Sequence, residues 1–525
     1  MKLNNLYNFK NPIKHFLNID SFIFPDNITS YDIKDLSWTI PIKFRVKKSE
    51  DKYRTLKMPN ILNFKASYEH FKDLPDFESI QAIDYGHKRL SANIETGDFE
   101  SGEFDRQLER DFEKLCIYDV LLKVDIKEYY GRIYTHYIDL QNHNEQYLSN
   151  MNLGATNGLI MGNYLSLYFA EVNLNNISNE ILAKITALDL QCEFSYFSDD
   201  FYFFCNKSDI DNVINIFDEV LEKYDLERND TKKEIWTYES YNNYNIVERY
   251  WKKIIAKCNI KFDEEINDNR LYFINQLMYR MSKLSSIKLK KVFINNFFKT
   301  SYFQNLDLNK YEMRSYDYHQ LCFIFKFSPE SMIYAISKFN EKHDFHEKQL
   351  LYKFFFVRYR EALESTFHEE QLYFYFAIKR LGFTDILDRF KELVIRSNNQ
   401  ILISYYLKDR AFNENQINKL KENEDEEYWF QNYHLILYCN EMRENMDDSI
   451  LRYLVPRCAD KQRQKQSYIN FYKINLEAGI PIIRDIDNTY SEIKDYLNLK
   501  AQESKTKYQR AAYKDMCDNI DIISI

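Results

Sequence analysis

Three aspartates have the residue type and the surroundings that predict a divalent-metal site. Asp199 and Asp200 are adjacent and lie between two apolar, aromatic runs in "CEFSYFSDDFYFFC", residues 192–205. Burying two unpaired neighbouring carboxylates costs several kcal/mol, because they lose water and repel each other. A bound cation removes both penalties, and Mg²⁺ prefers oxygen ligands of this kind. Asp125, at the end of the apolar run "LLKVD", is the candidate third carboxylate.

Three carboxylates on neighbouring strands could hold two Mg²⁺ ions, or Mn²⁺ in their place, about 4 Å apart. This spacing suits in-line phosphoryl transfer, in which one ion lowers the pKa of an attacking hydroxyl and the other stabilises a departing pyrophosphate. A hairpin turn is a stiff support for such ligands. The residue types therefore predict metal-assisted phosphoryl transfer.

The carboxylates need strands to position them, and the surrounding sequence predicts such strands. "DVLLKVDIK", residues 119–127, is typical of a buried strand, and residues 192–205 predict two strands around a tight turn. A helix-like segment covers residues 128–140, a long helix extends over about 163–185, and "LERNDTKKEIW" returns as a strand. With one more helix before that last strand, the order is close to a split βαβ arrangement.

The flanking regions differ in periodicity. "IPIKFRV", residues 40–46, alternates apolar and polar residues and predicts a strand, and "YRTLKMP", residues 53–59, predicts its partner. The second half of the chain is poor in glycine and has helical periodicity. Residues 383–395, for example, predict one helix with Thr384 as its N-cap. The pattern indicates an α+β first half and an irregular helical-repeat second half.

The chain resembles reverse transcriptases in four palm motifs, which occur in that family's order and rough spacing: "VDIKEYYGRIYTH", "NGLIMGNYLSLYFAEVNL", "FSDD" and "LERNDTKKE". The resemblance covers about residues 40–240. It implies an α+β fold with reverse-transcriptase fingers, residues 1–115, and a palm with a split βαβ core, residues 116–245. It further implies an all-α, HEAT-like helical-repeat domain over residues 246–525.

The resemblance implies roles for individual residues around the aspartates. Asp125 matches the family's first metal-binding aspartate, and the carbonyl of Ile126 matches a backbone ligand. Asp199 matches the second metal-binding aspartate, and Asp200 matches its partner. Tyr130 falls at the sugar-gate position, where a large ring crowds a ribose 2′-OH, so deoxynucleotides are the expected substrates.

The resemblance also implies a nucleotide-binding set, which consists of Arg54, Lys48, Tyr130, Gly158, Met161 and Gly162. The loop 158–166 matches the family's loop that approaches the incoming nucleotide and template, where glycines let backbone come close to a ligand. The sequence departs from the family at Ile160, where a proline is usual, and at Met161, where a glutamine is usual. Met161 cannot make the amide's hydrogen bonds, and this puts strict template reading in doubt.

Basic residues in two places are candidates to bind phosphates. "RTLKMP" resembles the fingers strand whose arginine holds the triphosphate, which indicates Arg54, and a planar guanidinium matches phosphate oxygens. Lys48 is a further candidate in the same basic hairpin. Lys232 falls where the family places a lysine near the leaving phosphates, as charge partner or proton donor, and the adjacent Lys233 is the alternative.

Compact palm motifs followed by a long helical half resemble the bacterial abortive-infection reverse transcriptases of the AbiK type, which act in anti-phage defence. Members of that group build DNA, some without a template and some primed from a tyrosine hydroxyl of the protein itself, and they assemble as homo-oligomers. The resemblance therefore implies dNTPs as substrates and a single-stranded DNA product, covalently attached where the protein primes itself. Tyr7 and Tyr31 are candidate primers that the sequence cannot choose among its 43 tyrosines.

Three other functions stay open. The first is a template-dependent reverse transcriptase that copies a dedicated non-coding RNA. The second is a non-catalytic phage-sensing scaffold, against which the intact Asp125, Asp199 and Asp200 speak. The third is a nucleotide cyclase, which shares a palm-like core, although the basic hairpin and the glycine loop favour a polymerase.

Composition excludes several classes. A net charge of -9 argues against a generic nucleic-acid coat, although a basic groove on an acidic body remains compatible with it. The 8 cysteines form no C-x-x-C pair, so neither a zinc site nor a disulfide framework is predicted. No apolar run approaches the ~18 residues that span a bilayer, and the first residues are too charged for a secretory signal. We expect a cytoplasmic protein without a membrane partner.

Overall fold

The structure, a computed structural model, confirms the α+β class, with small sheets in the first half of the chain and helices in the second. Two compact units divide the chain: Met1–Asn242 with Asn399–Ile483, and Asn243–Asn398 with Arg484–Ile525. The structure describes residues 2–8, 13–25, 28, 31–48, 52–84, 86–90, 103–138, 140–245, 272–284, 287–299, 303, 315–336 and 347–498.

Among the residues of the first unit that the structure describes, six strands form two sheets. In chain order they are β1 (Ile42–Lys47), β2 (Tyr53–Met58), β3 (Val120–Asp125), β4 (Cys192–Phe197), β5 (Asp200–Cys205) and β6 (Glu234–Trp236). The first two strands pair as an antiparallel hairpin. The other four form an antiparallel sheet in the order β4-β5-β3-β6.

Helices make up most of the remaining described chain. The first segment of the first unit contains α1 (Leu3–Tyr7), α2 (Ile61–Phe71), α3 (Glu103–Leu115), α4 (Tyr129–Arg132), α5 (Gln146–Ser149), α6 (Tyr164–Ala187) and α7 (Ile210–Glu222). The second unit contains α8 (Tyr272–Lys283), α9 (Ile287–Lys299), α10 (Ser315–Phe327), α11 (Ser331–Ile336), α12 (Lys348–Glu364), α13 (His368–Arg380), α14 (Thr384–Arg389) and α15 (Lys391–Arg396). The second segment of the first unit contains α16 (Gln400–Lys408), α17 (Glu414–Lys421), α18 (Trp429–Tyr438), α19 (Asn440–Glu444), α20 (Met446–Tyr453) and α21 (Gln462–Glu477). None of the described helices has both the length and the apolar content needed to cross a membrane.

The larger sheet buries one face and leaves charged residues on the other. Phe201 and Phe203, two positions apart on β5, are fully buried, and their rings lie 5.0 and 5.7 Å from the ring of Phe217 in α7. Side chains alternate between the faces of a strand, so Asp200 and Tyr202 point to the opposite face. The packed aromatic face therefore fixes the strand that presents Asp200.

The predicted strands are confirmed, but the segments around them differ in part. The long helix predicted over 163–185 is α6. The helix-like segment 128–140 is wrong as one helix, because only α4 and a 3-10 turn at Thr135–Tyr137 form there. The backbone becomes extended at Ile133, and Tyr134 forms a bridge with Asn157, so pairing with a distant loop replaces the local helix. In "LERNDTKKEIW", only β6 is a strand.

The helix predicted over 383–395 is also divided. The structure has α14 and α15 instead, and Phe390 between them has φ -113° and ψ 15°. Its ring packs 5.0 Å from that of Phe356 in α12, which supplies a tertiary reason for the break. Thr384 is not the N-cap, because Phe383 occupies that position without a side-chain cap.

Residues 246–525, predicted as one helical-repeat domain, fall into both units. Within the first unit, the Trp429 indole donates a hydrogen bond to the Ile40 carbonyl at 3.1 Å. The Tyr468 hydroxyl donates to the Asn63 side chain at 2.7 Å. These contacts connect α18 and α21 with the part of the chain that carries the sheets.

Candidate active site

The turn between β4 and β5 carries the adjacent aspartates. Phe197 pairs with Asp200, which leaves Ser198 and Asp199 as the two turn residues. Ser198 has a φ of 54°, a positive value typical of the tight turns that join hairpin strands. On its other side, Asp200 lies directly opposite Asp125 of β3. Opposed residues of paired strands point to the same face, so the sheet brings these two carboxylates together.

Backbone hydrogen bonds join the turn, the end of β3 and the fourth sequence motif. The Ile126 N–H donates to the Asp199 carbonyl at 2.9 Å, and the Asn229 N–H donates to the Asp125 carbonyl at 2.8 Å. Ile126 also forms an isolated bridge with Arg228. Within the described part of the chain, no backbone N–H donates to the Ile126 carbonyl. Among those residues, this oxygen has no backbone donor that would compete with a metal ion.

The three carboxylates lie in a partly desolvated place. Asp125 is 3% exposed, and Asp199 and Asp200 are half-buried. Burial raises the pKa of Asp199, and the negative charges of Asp125 and Asp200 raise it further. Such a cluster needs a positive charge among its members.

The fourth motif supplies one positive charge. Lys232 forms an ion pair with the Asp125 carboxylate. The Asn229 side-chain amide donates to the other oxygen of Asp125 at 2.9 Å. Of the two adjacent lysines that the sequence left open, Lys232 makes this contact, and Lys233 is exposed. The structure thus brings Asp125 and Lys232 together.

A second lysine lies beside the doublet. The Lys123 ammonium is 3.1 Å from a carboxylate oxygen of Asp200. Among the residues that the structure describes, Asp199 forms no salt bridge. Two of the three carboxylates are therefore neutralised by lysines, and Asp199 is the one that remains unpaired by a cation.

The donor atoms fit a magnesium site, although no complete one is preformed. Mg²⁺ takes oxygen ligands, and the carboxylates of Asp125 and Asp199 with the Ile126 carbonyl supply them. No group of three His, Cys, Asp or Glu side chains in the described ranges is arranged to hold a metal. In the structure the carboxylates of Asp125 and Asp200 instead face ammonium groups. Metal binding at Asp125 requires Lys232 to move away.

Tyr130 lies beside the turn. It is half-buried, and its carbonyl accepts a hydrogen bond from the Leu159 N–H at 2.7 Å. Burial raises the pKa of its phenol, the charges of Glu171 and Asp199 raise it further, and the charge of Arg54 lowers it. The structure therefore places the predicted sugar-gate ring within electrostatic reach of both Asp199 and Arg54.

Gly158 occupies a position that a side chain would disturb. Its φ is 91°, and a Cβ built there would lie 3.0 Å from the Gly131 carbonyl oxygen. Its N–H donates to the Ile133 carbonyl at 2.9 Å. The glycine thus allows the loop to pass directly against α4, which contains Tyr130.

Gly162 and Met161 lie against the small hairpin. Gly162 has φ 113°, and a Cβ there would be 3.5 Å from the end of the Leu56 side chain in β2. Met161 is half-buried, and its carbonyl accepts a hydrogen bond from the Lys57 N–H at 3.4 Å. The loop therefore connects α4 on one side with β2 on the other.

The two predicted phosphate-binding residues of the hairpin differ in place. Arg54 is exposed on β2 opposite Val46, and its charge reaches Tyr130. Lys48 is exposed in the loop after β1, where its N–H donates to the Lys52 carbonyl at 2.8 Å. Among the described residues, no contact joins Lys48 to the aspartates. Of these two residues, only Arg54 has a charge that influences a predicted site residue, namely Tyr130.

Sequence reasoning missed Asn229, Lys123 and the buried ion pair of Lys88 with Glu171, whose charged atoms are 2.9 Å apart. Lys123 stands two residues before Asp125 on a strand, so the alternation of side chains could have identified it. Asn229 belongs to the motif that contains Lys232, but nothing in its type indicates a partner. The Lys88 pair joins distant segments and leaves no local signal.

The two candidate priming tyrosines are both at least partly buried. Tyr7 is 1% exposed and its hydroxyl donates to the Pro59 carbonyl at 2.5 Å. Burial raises the pKa of this phenol well above its ordinary value. Tyr31 is half-buried, and burial also raises its pKa. Tyr7 would have to leave its buried hydrogen bond before it could act as a primer.

Comparisons with known proteins do not assign the chain to a family. No protein-family model matches it, and a search of curated proteins found no match. Among solved structures, it is similar to a telomerase from Candida albicans in complex with a TWJ fragment of telomeric RNA, at 12% identity and a TM-score of 0.30. The match covers 71% of this chain and 63% of that chain, so it spans less than two thirds of the telomerase's length. A TM-score this low does not indicate a function.

Proposed function

We propose that the protein is a DNA polymerase of reverse-transcriptase type that adds dNTPs by phosphoryl transfer. The observation that best supports this function is the direct pairing of Asp125 with Asp200, beside the turn residue Asp199. Paired strands and the turn between them position the three carboxylates, whose oxygens are the kind of ligand that Mg²⁺ prefers. The half-buried setting also keeps their charges partly away from water, which strengthens electrostatic interactions there.

In this proposal, Asp125, Asp199 and the Ile126 carbonyl would hold Mg²⁺, with Asp200 beside them. When bound, the metal lowers the pKa of an attacking hydroxyl and offsets the charge of a departing pyrophosphate. Tyr130 would restrict the sugar, because a large ring at the position that the resemblance implies crowds a ribose 2′-OH. The chain itself thus binds, orients and selects the nucleotide.

Lys232 would have two positions. In the structure it pairs with Asp125, yet its side chain is 45% exposed and lies at the end of a single helical turn. Its ammonium can therefore swing towards the leaving phosphates as charge partner or proton donor. Asn229 would keep Asp125 oriented meanwhile, since the amide donates to the carboxylate at 2.9 Å.

We propose a wider role in anti-phage defence, with untemplated DNA synthesis primed by a tyrosine of a homo-oligomeric protein. The support is the motif resemblance, together with Met161 in the place of the glutamine that is usual there. A thioether cannot donate the amide hydrogen bonds that would fix a base pair. The tests below distinguish this untemplated, tyrosine-primed synthesis from two alternatives, which are templated copying of a non-coding RNA and a non-catalytic scaffold.

The first test measures nucleotide incorporation by the purified full chain with labelled dNTPs and Mg²⁺. We expect label that co-migrates with the protein on a denaturing gel. Asp125→Asn and Asp199→Asn should each lower it by at least about a hundredfold, because each removes several kcal/mol of charge stabilisation. Asp448→Asn is the matched control, since Asp447 and Asp448 form another adjacent pair that is exposed on α20. Undiminished incorporation by Asp199→Asn would exclude the proposed site.

Two further measurements separate the alternatives. Sequencing of the protein-attached strand should show no complement in any co-purified RNA, whereas a faithful complement would establish templated copying. Phage challenge of cells should show that Asp199→Asn abolishes protection. Protection that survives this change would favour the scaffold.

A further inference from the structure

Lys123 lies on β3, one of the two inner strands of the larger sheet, and on the face that carries the carboxylates. It stands two residues before Asp125 on β3, and its cross-strand partners are Tyr202 of β5 and Glu234 of β6. Its ammonium lies 3.1 Å from Asp200, which is its diagonal neighbour on β5. Diagonal neighbours across paired strands are within reach of long side chains. The contact is therefore set by strand register.

The surroundings of Lys123 hold it in place. Its ammonium is 5.5 Å from the centre of the Tyr202 ring. The guanidinium of Arg89 lies 3.9 Å from the same ring and is itself paired with the buried Asp111. The Tyr202 ring therefore lies between two cations, and one of them is anchored by a buried carboxylate.

The two lysines at the site differ in freedom. The Lys123 side chain is 26% exposed, whereas that of Lys232 is 45% exposed. Lys123 is on a central strand between two carboxylates, Asp200 and Glu234, while Lys232 ends a single helical turn. Lys232 can leave its carboxylate, and Lys123 is retained beside its own.

We propose that Lys123 is a positioning residue that holds Asp200 out of the metal's ligand set, so that Asp125 and Asp199 are the carboxylate ligands. This inference rests on the proposed polymerase function and refines its site. A carboxylate whose oxygen accepts a hydrogen bond from a retained ammonium 3.1 Å away is a poorer metal ligand than Asp199, which forms no salt bridge among the described residues. Mg²⁺ sites typically need only one or two protein carboxylates.

The test measures Mn²⁺ binding to the full chain without nucleotide, from the electron paramagnetic resonance signal of the free ion. Asp125→Asn and Asp199→Asn should each weaken binding by at least about tenfold, because each removes a ligand. Asp200→Asn should change the dissociation constant by less than about threefold. Lys123→Met should tighten binding about fivefold or more, because it removes a neighbouring positive charge and frees Asp200.

The double variant decides the role of Lys123. In the Lys123→Met background, Asp200→Asn should weaken Mn²⁺ binding by about tenfold, although it has little effect beside the native lysine. In the Lys123→Arg background, Asp200→Asn should again have little effect on the Mn²⁺ dissociation constant, because arginine retains the positive charge and the contact. Lys127→Met is the control for a nearby charge, because Lys127 is exposed and pairs with Glu227 at 3.5 Å. Thermal melting checks each fold, and Lys123→Gln replaces Lys123→Met if the latter does not fold.

An equal effect of Asp200→Asn in both backgrounds, or an effect in the native background as large as that of Asp199→Asn, would overturn the inference. Incorporation of dNTPs by the wild-type protein is measured in parallel. If the wild type incorporates dNTPs and binds Mn²⁺ through all three aspartates, only the role of Lys123 is wrong. If the wild type neither binds Mn²⁺ nor incorporates dNTPs, the polymerase function and the inference fail together.

Discussion

Substitution of Gly158 by alanine should damage the nucleotide site through the backbone alone. Gly158 has φ 91°, and a Cβ there would meet the Gly131 oxygen at 3.0 Å and the Gly131 carbonyl carbon at 3.4 Å. Both neighbours are backbone atoms, which cannot rotate away as a side-chain end could. The next residue, Leu159, donates its N–H to the Tyr130 carbonyl at 2.7 Å. A shift of this loop is therefore passed to Tyr130.

The expected loss of stability follows from three contributions. A side chain at a left-handed φ costs about 1–2 kcal/mol. Relief of the contact with Gly131 costs about 1 kcal/mol more, because a packed segment must move. Alanine restricts the unfolded chain and offsets about 0.4–1 kcal/mol of this cost. The net loss of about 1–3 kcal/mol should lower the melting temperature of the first unit by about 1.5–4.5 °C, because a unit of this size has an unfolding entropy of about 0.7 kcal/mol per degree.

The assay pairs thermal melting with dNTP incorporation, and Gly131→Ala is the matched control. A Cβ on Gly131 would have no atom within 4 Å, and alanine favours helix by about 1 kcal/mol over glycine. Gly131→Ala should therefore melt at or above the wild-type temperature, while Gly158→Ala melts lower and incorporates about tenfold less. If Gly158→Ala melts within about 1 °C of wild type, or if Gly131→Ala is the less stable of the two, the steric reasoning is wrong.

Three further predictions concern single side chains. Asp199→Asn should raise the melting temperature of the metal-free protein at pH 7.5 but not near pH 4. The folded-state pKa of Asp199 is raised, so this carboxyl group makes the protein less stable as pH rises above the ordinary carboxylate pKa. A gain that is equal at both pH values would contradict this. Burial lowers the pKa of His434 to about 3, so its contribution to stability should be lost as pH falls from its ordinary pKa towards that value. The free energy of unfolding, measured with urea at several pH values, should depend on pH less steeply in His434→Gln, by about 1.4 kcal/mol per pH unit. An unchanged pH dependence would refute this role of His434. Tyr130→Ala should admit ribonucleotides and lower the dNTP-to-rNTP preference about tenfold, whereas Tyr130→Phe retains the ring and should retain the preference; equal loss in both would assign selectivity to the hydroxyl.

The strands around the aspartates were predictable because local sequence decides them. Alternation and apolar runs fix β3, β4 and β5 within a residue or two, and the two-residue turn follows from the position of the doublet between them. Once these strands pair, register alone places Asp125 opposite Asp200. The contacts around the site could not be predicted in this way. The pairing of Lys88 with Glu171 joins residues from separate segments, and no local pattern encodes it.

Local periodicity failed where a distant contact competed with it. Residues 128–140 have a helical pattern, yet the backbone turns extended after α4 because Tyr134 pairs with Asn157. The helix predicted over 383–395 breaks at Phe390, whose ring packs on Phe356. In both places tertiary packing outweighs a helix propensity of a few tenths of a kcal/mol per residue.

The helices after residue 399 bear on the site through the small hairpin. The Trp429 indole donates to the Ile40 carbonyl at 3.1 Å, and a Glu426 carboxylate oxygen accepts from the Ile40 N–H at 3.3 Å. Ile40 precedes β1 by two residues. The strand paired with β1 is β2, which contacts the loop 158–166 where the Lys57 N–H donates to the Met161 carbonyl. The hairpin is thus held at its base by α18 and along β2 by the loop. Because β2 carries Arg54, the place of the predicted triphosphate-binding cation depends on residues that composition alone would assign to a separate helical domain.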